Sequence, residues 1–137
     1  MAVTVDWDND EKTIVHYRFD KNWTWEEFFE AREQGKALLD SVSHKVAVIL
    51  ETVHDGAIPY NFLANARRGF RTKHPQNVFV VVVAARPLVR TIVSTFRALL
   101  PPMSTPIEIA LSLDEARAMA LDFLKALDEN KVKHQSV

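Results

Sequence analysis

The 137-residue chain contains no cysteine, which removes disulfides, thiolate nucleophiles and thiolate metal sites together. Only three glycines occur, at Gly35, Gly56 and Gly69. They are too few and too widely spaced for a dinucleotide-binding fingerprint or a phosphate-cradling loop, so no cofactor is expected. No apolar run exceeds the stretch from Val78 to Ala85, far short of the roughly 20 residues that cross a bilayer. The N-terminus carries Asp6, Asp8, Asp10 and Glu11 where a signal peptide would have its apolar core. These absences lead to the expectation of a soluble, cytoplasmic protein without a transmembrane segment. Between Gly56 and Thr105 there is also no Asp or Glu.

What is present is a globular composition, 47% hydrophobic and 26% charged, with enough residues for one core. The chain reads as a single domain over 1–137, with an N-terminal hairpin at 2–19, βα units over 24–129 and a frayed tail at 130–137.

Val3, Val5 and Trp7 alternate with polar residues, and so do Val15, Tyr17 and Phe19, which predicts two half-buried strands joined by the polar DNDEK turn. Thr24 followed by Glu27 is a capping box, and Trp23 can fold over Phe28 as its hydrophobic staple, so a helix starts near Trp25 and runs to about Ser41. Lys45 to Glu51 and Asn77 to Ala84 are short, almost wholly apolar and β-branched, as strands buried on both faces require. Tyr60 to Lys73 has helical spacing and stops before Pro75. Pro87 suits a first helical turn, and that helix must end before Pro101. Ile107 to Leu111 is a final strand, and Ser112 with Glu115 opens a last helix whose apolar stripe reaches Leu127. The order is ββαβαβαβα, an α/β domain with a mostly parallel sheet and crossover helices.

The hairpin, the alternation of helix with VAVILETV and VFVVVVAA, and the closing IEIALSLDEARAMALDFL resemble the SpoIIAA-like fold, the STAS domains and their relatives. The resemblance extends from Val3 to Leu127, and it implies a non-enzymatic regulatory or protein-interaction module. In the anti-sigma antagonists of that group, the loop after the first buried strand carries an Asp-Ser-Ser-Gly-like run whose serine a partner kinase phosphorylates. Here the loop reads HDGAIPYN, and no serine lies between Ser43 and Ser94. Thr52 and Tyr60 are the nearest hydroxyls, and neither stands in a matching motif. The likeness is therefore to divergent SpoIIAA-like proteins that lack the phospho-switch.

Charge is segregated along the chain. Residues 1–55 carry a net −6, residues 56–105 a net +7 without one carboxylate, and residues 106–137 a net −2. Arg86, Arg90 and Arg97 fall on one side of their helix, and Arg67 and Arg71 lie one turn apart on another. Such a face suits an acidic partner or an anionic ligand; alternatively it pairs with the acidic first helix, in the same chain or in a second copy. Nucleic acid is not expected, because the chain as a whole is not basic and carries no RNA-binding or helix-turn-helix motif.

Trp25 and Phe29 are one helical turn apart and roughly 100° from the apolar stripe of their helix, so they mark either a contact surface, the lip of an apolar pocket, or packing under a neighbouring loop. Among the histidines, His44 and His74 precede strands, His16 is on an edge-like strand and His134 is in the tail. Only His54, beside Asp55 and near Glu51 and Arg86, falls where ligands gather in α/β folds, and no metal-ligand spacing or catalytic set is evident. Three functions follow as expectations. The first is a non-enzymatic interaction module, binding a protein partner or a second copy as a homodimer, using the basic helices or the Trp25 and Phe29 surface. The second is a binder of a small anionic or lipid-like ligand near His54, Asp55, Tyr60 and Arg86, and the third is an enzyme using His54 and Asp55.

Overall fold

The computed structural model describes residues 2–52, 62–71, 74–99 and 105–135. Five strands and four helices alternate as β1 (Val3–Trp7), β2 (Ile14–Phe19), α1 (Trp25–Asp40), β3 (Val46–Thr52), α2 (Phe62–Arg71), β4 (Asn77–Val83), α3 (Pro87–Ala98), β5 (Ile107–Ala110) and α4 (Leu113–Gln135). The strands lie in the order β1-β2-β3-β4-β5, with β1 antiparallel to β2 and every other neighbouring pair parallel. This is the mostly parallel α/β arrangement that the alternation of patterns implies.

Each parallel crossover advances one strand in the same direction, so right-handed connections carry α1, α2 and α3 to one face. The core divides accordingly. On one face Val15, Tyr17, Phe19, Val48, Val80, Val82 and Ile107 pack with Phe28, Ala31 and Leu39 of α1, Ala66 of α2, and Val93 and Phe96 of α3. On the other, Ile14, Ala47, Ile49, Phe79, Val81 and Val83 pack against Ala116 and Ala120 of α4, and Phe79 stacks on Phe123 at 4.2 Å between ring centroids. The two alanines, one turn apart, let α4 lie close over the sheet, and burial on both faces explains why β3 and β4 read as unbroken apolar runs.

The local signals act as their chemistry demands. Thr24 caps α1 by accepting from the Glu27 N–H, and Glu27 returns a bond to the Thr24 N–H at 3.2 Å, a complete capping box. Trp23 closes over Phe28 with centroids 6.3 Å apart. At α4 the Ser112 hydroxyl accepts from the Glu115 N–H at 3.1 Å, while Glu115 reaches the Leu111 N–H instead of its own cap residue. α4 also continues to Gln135, past the end of its apolar stripe. No proline or glycine follows Leu127 to stop the helix, so the region expected to be a frayed tail continues it as far as Gln135.

One contact fixes how closely α1 approaches the sheet. A Cβ placed on Gly35 would stand 2.0 Å from the Tyr17 hydroxyl and 2.8 Å from its Cζ. The glycine is thus the space into which the buried Tyr17 phenol fits.

Candidate functional site

An apolar cleft of about 100 Å³ lies between the sheet and the α1, α2 and α3 layer. Its floor is Phe19, Leu50, Thr52, Val82 and Ile107; its walls are Trp23, Trp25 and Phe28 on one side, Ala66 above, and Val89, Val93 and Phe96 on the other. Phe19 and Thr52 end their strands, and Trp25 and Val89 sit in the first turns of their helices. The cleft is therefore at the carboxyl end of the parallel strands, where open α/β sheets place ligands.

The lining is chemically uniform. Thr52 is its one hydroxyl-bearing residue, and that hydroxyl donates its single proton to the Val83 carbonyl at 3.0 Å, so the cleft offers a guest no free side-chain donor. The aromatic wall is built from edge-to-face contacts: Phe19 to Trp23 at 4.9 Å, Trp23 to Trp25 at 4.8 Å and Trp25 to Phe28 at 5.9 Å between centroids. The capping box and staple hold these rings by fixing the entry of the chain into α1. Phe29 continues the aromatic cluster outward at 6.3 Å from Trp25, and the Arg68 guanidinium lies over its ring at 4.9 Å, a cation–π contact that joins α2 to α1.

A polar cluster occupies the opposite face, beside α4. His16 projects from β2 between Glu51 of β3 and Asp8, just past β1. Its Nε2 donates to Glu51 Oε1 at 2.8 Å, and its Nδ1 is 3.5 Å from Asp8 Oδ1. Asp8 in turn accepts from Arg117 through both oxygens, from Nε at 2.8 Å and Nη2 at 2.9 Å. The Asp8 side chain is 6% exposed and those of His16 and Glu51 are 18% and 19% exposed, so the cluster is a partly buried relay of carboxylate, imidazole, carboxylate and guanidinium. The bonds that Arg117 donates to Asp8 raise the guanidinium pKa, with desolvation opposing them in part. Both Asp8 oxygens accept from Arg117 and His16 Nε2 donates to Glu51, and these bonds tie the end of β1 to α4 and β2 to β3.

The residues singled out from sequence are dispersed. Trp25 lines the cleft, with Phe29 next to it under Arg68. Arg67 is exposed on α2, and Arg71 is the last residue of that helix. Arg86 is the N-cap of α3, Arg90 follows a turn later, and Arg97 reaches Glu108 of β5 at 3.4 Å. His54, Asp55 and Tyr60 lie outside the described residues. Glu51, grouped with His54 and Arg86 from sequence, turns instead toward His16 on the α4 side. His16 itself belongs to an internal strand, paired with β1 on one side and β3 on the other, so the edge-like assignment is corrected. His44 bonds the Lys12 carbonyl and His74 bonds Asp40, each at 2.7 Å. Phe19, Leu50, Val82 and Val93 of the cleft were legible only as core residues. Their convergence needs the strand order.

Among the described residues no group of three or more His, Asp or Glu side chains is arranged to hold a metal, and no helix is long and apolar enough to cross a membrane. Comparison with known protein families, with curated proteins and with solved structures returned no match.

Proposed function

We infer that this protein is a binding module that takes the apolar end of a small ligand into the cleft beneath α1, α2 and α3. The observation that carries the reading is a cleft at the carboxyl end of the strands whose surface is entirely apolar. For scale, an engineered apolar cavity of about 150 Å³ admits benzene, so a cleft of about 100 Å³ seats a short alkyl or ring-edge segment. The remainder of the ligand lies outside, near the carboxylate-free α2 and α3, where Arg67, Arg68 and Arg90 favour a negatively charged end. A lipid-like carboxylate has this form. The element order also supports, within the same proposal, kinship with the SpoIIAA-like fold without its serine switch.

A thermal-shift series with straight-chain fatty acids, set against inorganic phosphate and nucleotides, tests the reading. Melting temperature should rise with fatty acids, growing with chain length until the alkyl end fills the cleft and then levelling off, and Val93→Trp, which fills the cleft, should abolish the rise. A response to phosphate or nucleotides alone, or none to fatty acids, would overturn it. A second reading, a protein-interaction module, is favoured by the outward charges of α1 and α2.

A further inference from the structure

The charge segregation of the sequence acquires a direction in the fold. Because sheet order follows chain order, the acidic first helix and the basic second helix become neighbours in one layer, joined where Arg68 covers Phe29. On α1, Glu26, Glu30 and Glu33 are exposed and recur at helical spacing, forming an acidic ridge that ends at exposed Ala37. On α2, Arg67 and Arg68 are exposed beside exposed Ala64. Among the described residues none of these three carboxylates forms an ion pair, and the Arg68 head lies over an aromatic ring, not a carboxylate. Intramolecular pairing of the basic segment with the acidic helix, one of the two readings open from sequence, is therefore absent from these ridges.

An acidic ridge lying beside a basic ridge on one surface is self-complementary under a two-fold rotation. Turning a second copy about an axis that runs between α1 and α2, in the plane of contact, sets each α1 over the partner's α2. The ion pairs between α1 and the partner's α2 then form twice, as an isologous interface requires. The small side chains of Ala37 and Ala64 allow the helices to approach, and the half-buried Trp25 and Phe29 lie between the two ridges, near the axis. We propose that this outer face of α1 and α2 docks a second copy of the chain, with Glu26, Glu30 and Glu33 of each protomer meeting Arg67 and Arg68 of its partner. This surface shares Trp25, Arg67 and Arg68 with the reading above but not the cleft interior, and its test reads mass, not ligand binding, so the two can fail separately.

Sedimentation of the full chain with two reversed variants tests the arrangement. In Glu30→Arg/Glu33→Arg both ridges are basic, and in Arg67→Glu/Arg68→Glu both are acidic. The wild type should sediment at twice 15.6 kDa at low ionic strength and shift toward 15.6 kDa as salt is added. Each variant alone should remain at the single-chain mass. Their equimolar mixture should recover the doubled mass, because both halves of the mixed dimer's interface are again matched, and each variant should give the circular dichroism spectrum of the wild type. A wild type that stays at 15.6 kDa, a dimer that survives either reversal, or folded variants that do not combine would each overturn the proposal.

Discussion

His16 Nε2 and Glu51 Oε1 stand 2.8 Å apart across the parallel pair β2 and β3, on the face of the sheet opposite the apolar cleft. The contact is one link of a chain that ends at Arg117, which is 109 residues from its partner Asp8 in sequence. The turn after β1 is thereby fastened to α4 by a contact that no local sequence pattern announces.

Removing Arg117 leaves the Asp8 carboxylate sheltered and without its two strongest donors. Arg117→Met is expected to lower stability by about 1–3 kcal/mol in urea denaturation, the lower part of the range reflecting the partial exposure of the guanidinium. The double variant Asp8→Asn/Arg117→Met should cost less than the sum of the single changes, since the orphaned charge is gone. Strict additivity would show that the two groups are not coupled.

Gly35→Ala should destabilise the fold although alanine is the better helix former. The helix-propensity gain is about 1 kcal/mol, whereas a methyl group driven into the Tyr17 ring is expected to cost about 1–3 kcal/mol through overpacking. Tyr17→Phe removes the closest colliding atom and should relieve part of the loss in the double variant. A Gly35→Ala protein more stable than wild type would contradict the packing described.

Stability at alkaline pH should depend on the same tyrosine. Burial pushes the Tyr17 hydroxyl from 10.0 up to about 12. A raised folded-state value means that the unfolded chain loses this proton first, so the contribution is complete below pH 10 and fades as pH rises toward 12. The change amounts to about 2–3 kcal/mol and is absent from Tyr17→Phe. The Glu27 carboxyl moves oppositely: the Ala2 N–H, chief among its donors, holds it below the ordinary carboxylate range. Its contribution is present at neutral pH and lost as pH falls through the lowered value, so Glu27→Gln should flatten the acid limb of the stability curve.

Much of the fold was legible because local chemistry and tertiary structure agree. Thr24, Glu27, Trp23 and Phe28 specify the start of α1, Pro87 opens α3, and the β-branched run of β4 has the composition of a doubly covered strand. The site was less legible. His16 looked like an edge residue because nothing in IVHYRF reveals that β2 pairs on both sides, and its partners Glu51 and Asp8, with Arg117 behind Asp8, come from distant parts of the chain. Trp25 drew attention by standing off its helix stripe. Leu50, Val82 and Val93, which complete the cleft, carry no signal beyond hydrophobicity, and only the stacking order of strands and helices makes them one surface.

Methyl-resolved NMR during titration with decanoate is the most direct measurement of whether the cleft takes an apolar ligand. Resonances of Leu50, Val82, Val89, Val93 and Ile107 should shift together and saturably, while those of Ile14, Ile49, Val81 and Val83 on the α4 side stay in place. Saturation without shifts at the cleft methyls, or equal shifts on both faces of the sheet, would contradict the account.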